Sequence, residues 1–408
     1  MALAACAGQS TPTAPPAPTP ARLPTIPVMA ATPVSEATAT VAPSLTLAPV
    51  NTVTSTLEAI VQFGPDNFPP DVNPLTGLKV SEVSVLERRP LAIKVSQFPR
   101  RVRPQSGLSL ADVVFEHYAE AGVTRMTAIF LGQDAPKVGS IRSARLIDTV
   151  LGEAYHAMLV TSGSGQGTLE RLYRTNFANR IIAEATGYNE CPPLCREGPA
   201  ESTDNLFAST AEVWAIATQL GLNERQELRG MAFFPMPPGG GQPAATIHID
   251  FQLNYNIVEW RYDTATGLYV RWVDTDVEGE LAPHTDALNN AQLTAANVVV
   301  LYVHHQSTDL VEDFGTEGHC GYEIQLWGSG PAKVFRDGQI YEATWVRLAQ
   351  SDLIGLIGPD HVALALKPGN TWFEVIDLDS PTEFDAQRGV FTTRFKGPSQ
   401  SAGCPVNQ

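Results

Sequence analysis

The chain has 408 residues, which is longer than one hydrophobic core usually supports, and this length predicts two folded domains with accessory segments. Its 27 Lys and Arg against 43 Asp and Glu give a formal net charge of −16 at pH 7. A surface this acidic repels phosphate backbones, so nucleic acid is excluded as an expected partner. No run of about 18 apolar residues occurs, and the sequence therefore predicts no membrane-spanning helix.

The first residues fit the processing site of a bacterial lipoprotein. Leu3-Ala4-Ala5-Cys6 places one apolar and two small residues before a cysteine. Small residues let the signal peptidase close over an extended backbone, and the cysteine thiol accepts the diacylglycerol. Because the basic and most of the apolar part of a signal peptide are absent, we interpret residues 1–6 as a remnant signal. The alternative is a chance run of small residues in an alanine-rich segment.

Residues 7–63 are expected to form a disordered tether. They consist mainly of Pro, Thr, Ala, Ser and Val, with few charges, and cannot bury enough apolar surface to offset their chain entropy. Repeated prolines favour extended conformations. A lipid on Cys6 followed by this tether predicts a protein anchored to the extracytoplasmic face of a bacterial cell membrane.

A first folded domain is expected over residues 64–235. Apolar, β-branched and aromatic runs predict strands at 91–95, 112–118, 124–131 and 157–160, with residues 119–123 as a hairpin connection. Helical spacing covers 144–155, and a second helix is expected at 168–176. Strands that alternate with helices place this domain in the α/β or α+β class with a mixed sheet.

Basic residues are concentrated in this first domain. Between Arg88 and Arg145 there are ten Lys and Arg against four Asp and Glu, a local charge of +6. Free backbone N–H groups near a helix start, guanidinium groups and a glycine-rich turn can hold a carboxylate or phosphate. The expected ligand-binding residues are Lys94, Arg103, Arg125, Ser140, Arg142, Ser143, Arg145, Ser162 and Ser164. The alternative is that the arginines pair with Asp112, Glu116 and Glu120.

No complete catalytic signature accompanies these arginines. The run 162–167 lacks the ending of a phosphate-binding loop and is not a nucleophile elbow. Asp112, Glu116 and His117 are weak catalytic candidates, because two carboxylates four positions apart on a strand are spaced by about 13 Å. No cofactor motif is present, and we expect none to be bound.

The cysteines beyond Cys6 are expected to form disulfides. Cys191 and Cys195 flank a short loop with two prolines, which favours a disulfide over a zinc or redox site. Cys320 and Cys404 are a second candidate pair. His304, His305, Asp313 and His319 suggest a metal site, but adjacent histidines point to opposite faces of a strand, so no metal is expected.

A second, mainly β domain is expected over residues 244–400, after a Pro/Gly-rich linker at 236–243. Asp337-Gly338 is typical of a tight hairpin turn. Alternating runs predict strands at 246–251, 257–262, 268–273, 297–303, 322–327, 332–336, 339–347, 362–366, 373–376 and 390–395.

Seven sequence segments, taken in order along the chain, resemble the YerB family of bacterial lipoproteins. They are residues 90–95, 103–108, 111–116, 122–125, 138–145, 322–331 and 367–372. The resemblance covers nearly everything after the tether. It implies a surface-anchored protein of two parts, both catalogued as domains of unknown function. Because it implies no reaction, no catalytic residue is carried over from the family.

The sequence therefore favours a non-catalytic binding or scaffolding lipoprotein of the cell envelope. Its basic cleft is expected to recognise an anionic envelope component or an envelope protein. The alternative is a cell-envelope hydrolase acting on glycan or phosphodiester substrates.

Overall fold

The computed structural model describes residues 61–198, 202–252, 255–313 and 319–398. All of these residues belong to one compact unit, residues 58–408. Cys6, Cys404 and residues 7–60 lie outside the described ranges, so the lipid anchor, most of the tether and the pairing of Cys320 with Cys404 stay predictions.

Strands are the main regular secondary structure in the described part of the chain. The α-helices in these ranges are α1 (Ile147–Ala154), α2 (Gln166–Tyr173) and α3 (Thr210–Gln219). The first strands are β1 (Leu91–Ser96), β2 (Val113–Glu120), β3 (Val123–Phe130), β4 (Val138–Gly139), β5 (Met158–Val160), β6 (Ile181–Ile182), β7 (Leu194–Arg196) and β8 (Leu206–Ala208).

The remaining strands follow α3. They are β9 (Gln242–Pro243), β10 (Thr246–Gln252), β11 (Asn256–Asp263), β12 (Leu268–Asp274), β13 (Leu281–Pro283), β14 (Thr294–Ala295), β15 (Asn297–Val303), β16 (His305–Asp313), β17 (His319–Ile324), β18 (Gly328–Arg336), β19 (Gln339–Arg347), β20 (Gly355–Ile357), β21 (Thr371–Asp377), β22 (Thr382–Asp385) and β23 (Val390–Arg394). No helix in the described ranges has the length and apolar character needed to cross a membrane.

One large sheet of 11 strands runs through the described structure in the order β20-β19-β18-β15-β21-β2-β3-β1-β5-β6, with β9 beside β19. It is mixed, because β2 pairs antiparallel with β3 but parallel with β21. Strands from the two expected domains thus pair directly, with Phe115 opposite Phe373 and their rings stacked 4.6 Å apart. The boundaries at 64–235, 236–243 and 244–400 stay a prediction, and β9 within the expected linker pairs with β19.

A second sheet of seven strands, in the order β13-β12-β11-β10-β23-β22 with β14 beside β12, contributes to one of two hydrophobic clusters. Alternate residues of the large sheet enter opposite clusters: Val114 joins the cluster that includes the second sheet, whereas Val113 and Phe115 join the one that includes α1. The large sheet is therefore buried on both faces, which explains the uninterrupted apolar character of β15. The architecture is mostly sheet with few helices.

Two hairpins end in turns with positive φ angles. Ala121 and Gly122 have φ of 50° and 78° and join β2 to β3, so the expected five-residue connection contains a two-residue turn. Asp337 and Gly338 have φ of 53° and 69° and join β18 to β19, as Asp-Gly predicts. Residues 362–366, in contrast, form no extended strand, and the nearby edge strand is β20.

Candidate functional site

Several expected ligand-binding residues lie at the carboxyl ends of parallel strands. β1, β5 and β6 are parallel neighbours, and open sheets of this kind commonly bind ligands beyond those ends. The segment 140–145 crosses there, because the Ser96 N–H donates to the Ser140 carbonyl and the Arg142 N–H to the Lys94 carbonyl. The loop after β5 supplies Ser162 and Ser164.

Arg125 and Arg145 converge on one carboxylate, that of Glu120. Arg145 donates to it through Nε at 2.6 Å and through Nη2, while Arg125 Nη2 lies 3.0 Å away. Burial alone would raise the pKa of Glu120, but the two guanidinium groups outweigh it and lower that pKa to about 2. These arginines thus pair with Glu120, one of the three acids in the pairing alternative, whereas Asp112 accepts from Asn73 and Glu116 accepts from Thr124 and Arg271.

The glycine-rich loop also holds an anion that belongs to the chain itself. Glu312 of β16 accepts a hydrogen bond from the Thr168 hydroxyl, and its second carboxylate oxygen lies 3.6 Å from Arg145 Nη1. A Cβ on Gly165 would come within 2.8 Å of that carboxylate, so glycine permits the approach. Burial raises the pKa of Glu312, and Arg145 opposes this change. The expected anion-binding loop thus receives a side chain from the second half.

Lys94 lies in the buried core. Its Nζ donates to His117 Nε2 at 2.6 Å and to Thr127 Oγ1 at 2.9 Å, and it lies 2.8 Å from Asp148. Burial lowers the pKa of Lys94 to about 8 although Asp148 acts in the opposite direction. With 0% of the side chain exposed, Lys94 offers no surface to a ligand in this structure.

Arg142 forms the more exposed edge of the site together with Arg101. Asp204 is only 8% exposed and lies between two guanidinium groups: its Oδ1 is 2.6 Å from Arg142 Nη2, and its Oδ2 is 2.5 Å from Arg101 Nη2. Two guanidinium groups share one carboxylate, which leaves a local excess of one positive charge. Arg101 is 72% exposed, and buried Arg142 Nε has no hydrogen-bond partner among the described residues.

The four expected serines are only partly brought together. Ser143 and Ser162 are half-buried, with hydroxyl oxygens 3.5 Å apart. The Ser164 hydroxyl donates to the Gly165 carbonyl, and the buried Ser140 hydroxyl has no partner within the described ranges. Arg103 belongs to another group of contacts, because its Nη1 donates to Asp274 Oδ1 at 3.1 Å.

The weak catalytic candidates are all buried and already bonded. Asp112 accepts from Asn73 Nδ2 at 2.8 Å and from two backbone N–H groups, and burial raises its pKa. Glu116 accepts from Thr124, and His117 is held by Lys94, with a pKa lowered well below its ordinary value by burial. None is open to a substrate in this conformation.

A disulfide joins Cys191 and Cys195, whose Cα atoms are 4.7 Å apart. The described residues include no group of three or more His, Cys, Asp or Glu side chains arranged to hold a metal ion. His305 is buried, and its Nδ1 donates to the Val303 carbonyl at 2.8 Å.

Comparison with known proteins supports the resemblance noted in the sequence. Residues 75–223 match the family described as "Protein of unknown function (DUF3048) N-terminal domain", and residues 247–373 match its C-terminal domain. Over 314 residues, the chain is 28% identical to a Bacillus subtilis (strain 168) protein described as "Putative lipoprotein YerB", covering 75% of this chain and 87% of that protein.

The chain belongs to the YerB-like family. A crystal structure of the YerB protein from Bacillus subtilis superposes with a TM-score of 0.62 at 27% identity, covering 76% of this chain and 97% of that one. The YerB-like fold thus extends across both matched segments.

In this YerB-like protein, a buried ion cluster connects the two matched segments. Arg271 of β12 donates through Nη1 to Glu374 at 3.0 Å and through Nη2 to Glu116. Glu116 and Glu374 are direct neighbours on β2 and β21, and Trp260 Nε1 also donates to Glu374 at 2.9 Å. Sequence reasoning missed Arg271 and Glu374, because no local pattern reveals that they meet.

Proposed function

We propose that this YerB-like protein is a lipid-anchored lipoprotein on the extracytoplasmic face of a bacterial cell membrane. We further propose that it binds an anionic component of the cell envelope without catalysing a reaction. The expected processing site at residues 3–6 and the similarity to the Bacillus subtilis protein described as a putative lipoprotein support the anchor. A diacylated cysteine would bind membranes stably, because two acyl chains bury far more apolar surface than one.

The observation that carries the binding proposal is the pair of arginines on Asp204. One carboxylate cannot accept hydrogen bonds from all the N–H donors of two guanidinium groups. Arg101, which is 72% exposed, therefore has donors left to bind a further anion. Arginine suits this role, since its fixed fork of donors matches carboxylate and phosphate oxygens.

Binding is favoured over hydrolysis by the state of the buried acids. Asp112, Glu116 and His117 each have internal hydrogen-bond partners, and the exposed edge of the site presents cations. A hydrolase would need a carboxylate or histidine within hydrogen-bond reach of substrate. The hydrolase alternative would be supported by turnover of a glycan or phosphodiester that is lost in the Asp112→Asn variant.

The anchor predicts the location of a Cys6→Ser variant. Expressed with a complete signal peptide in a bacterial host, the unaltered protein should fractionate with membranes and incorporate a labelled fatty acid. Cys6→Ser should lose the label and appear in the soluble extracytoplasmic fraction, while Cys320→Ser keeps it. Membrane association and labelling that persist in Cys6→Ser would contradict the anchor.

The binding proposal predicts opposite effects for two neighbouring substitutions. Removing the guanidinium in Arg101→Gln should weaken binding to soluble poly(glycerol phosphate) about tenfold, since a charge-assisted hydrogen bond contributes roughly 1.5 kcal/mol. Asp204→Asn should strengthen it, because both arginines lose their internal counter-charge. Calorimetric titration at two salt concentrations measures both effects, and binding should weaken as salt increases.

Arg174→Gln is the matched control, because Arg174 is 79% exposed and pairs with Glu170 on α2. Its affinity for the polymer should equal that of the unaltered protein. Equal losses in Arg101→Gln and Arg174→Gln would show a non-specific charge effect and would refute this site.

A further inference from the structure

We infer that a pocket beside Arg101 binds a phosphorylated sugar unit. This inference rests on the proposed function and specifies its ligand class. The pocket has a volume of about 530 Å³ and is lined by residues 98–101, Arg103, Tyr255 and Asp276. The pocket thus lies between the segment that follows β1 and residues of the second half of the chain, which precede β11 or follow β12.

Three arginines supply the anion-binding part of the pocket. Arg100 contacts the carboxylates of Asp274 and Asp276, and Arg103 contacts Asp274. Arg101 pairs with Asp204, which Arg142 shares, so four guanidinium groups against three carboxylates leave one positive charge. The Arg103 side chain is only 9% exposed, and its buried Nη2 has no hydrogen-bond partner among the described residues. A buried donor without an acceptor is costly, so a phosphate oxygen placed there would be stabilising.

Two aromatic rings supply the part that would contact the sugar. Phe98 and Tyr255 lie with ring centroids 4.8 Å apart, and Tyr255 is 42% exposed. The Arg100 guanidinium carbon lies 4.8 Å from the Tyr255 ring centroid, and that of Arg103 lies 5.4 Å from Phe98. Stacking fixes these cations in place, and an exposed aromatic ring offers a rigid apolar surface to the C–H face of a sugar.

The combination distinguishes a sugar phosphate from simpler ligands. Inorganic phosphate would use the arginines but not Tyr255, and a neutral sugar would use Tyr255 but not the buried donor of Arg103. A ligand that carries both groups would use all of these contacts at once. It should therefore bind at least tenfold more tightly than either group alone.

Calorimetric titration of the full chain with glucose 1-phosphate, glucose and inorganic phosphate tests this inference. Tyr255→Ala should reduce affinity for glucose 1-phosphate about tenfold and leave inorganic phosphate unchanged. Arg103→Lys should weaken both, because lysine keeps the charge but loses the fork. Tyr173→Ala, with a 45% exposed ring on α2, is the matched control and should change neither.

Three results would overturn the inference. These are equal affinities for glucose 1-phosphate and inorganic phosphate, an unchanged affinity in Tyr255→Ala, or binding to phosphatidylglycerol vesicles without binding of the free sugar phosphate. Any of them would leave the proposed function intact if polymer binding still depended on Arg101. If polymer binding did not depend on Arg101 but Tyr255→Ala still weakened sugar phosphate binding, the proposed site would fail instead.

Discussion

An Arg271→Met variant should lose about 3–5 kcal/mol of its free energy of unfolding, because the substitution leaves Glu116 and Glu374 buried without their shared cation. All three side chains have 0% exposure, so water cannot replace the guanidinium. Arg271 also donates from Nε to His284 Nδ1 at 3.0 Å and lies over Trp372, with its guanidinium carbon 4.5 Å from the ring centroid.

Chemical denaturation at pH 8 measures this loss, with Arg261→Met as the matched control. Arg261 is 43% exposed and pairs with Glu259, so its loss should cost less than about 1 kcal/mol. Adding Glu116→Gln and Glu374→Gln to Arg271→Met should recover part of the lost stability, since the unpaired charges are then absent. Similar losses for Arg271→Met and Arg261→Met would show that the buried cluster does not hold the two halves together.

Local sequence patterns were sufficient for most individual strands. β1, β15 and β19 lie where continuous or alternating apolar residues predict them, since the pattern of side chains along a strand is read directly from the sequence. Asp337-Gly338 predicts its turn for the same reason, because few residues accept positive φ. Residues 362–366 show the limit, as a short apolar run does not determine whether a strand forms.

The pairing of strands from distant parts of the chain could not be predicted. β2 and β21 are separated by 251 positions, from Glu120 to Thr371, and nothing in either strand specifies its neighbour. The same limit applies to Arg271, which reads as an ordinary polar position on an alternating strand but is fully buried.

The sequence indicates the basic residues of the candidate site but not the acidic residues that pair with them. The sequence shows an excess of basic residues around Arg125 and Arg145, yet Glu312 reaches this cluster from β16, and Asp204 pairs with Arg142. Counting charges in one segment omits counter-ions that the fold brings from elsewhere. The run of Arg100, Arg101 and Arg103 was the signal for the more exposed edge, because three closely spaced arginines cannot easily all be buried.

The buried acids also predict an unusual dependence of stability on pH. Burial, followed by repulsion from Glu116, raises the pKa of Glu374 to about 7, whereas an unfolded glutamate has a pKa near 4.5. Between these values the folded state binds more protons than the unfolded state, so the free energy of unfolding falls as pH rises. The contribution from Glu374 is fully present below pH 4.5 and is lost by about pH 7, a change of about 3 kcal/mol.

A Glu374→Gln variant isolates this contribution, because glutamine is neutral throughout and keeps an oxygen that can accept from Trp260 and Arg271. Glu374 Oε2, which has no hydrogen-bond partner among the described residues, is the atom that can carry the proton. Relative to the unaltered protein, Glu374→Gln should therefore gain stability progressively from pH 4.5 to pH 7. A flat difference for Glu374→Gln across that window would mean that Arg271 keeps both carboxylates ionised, in which case the cluster holds a net negative charge in the core.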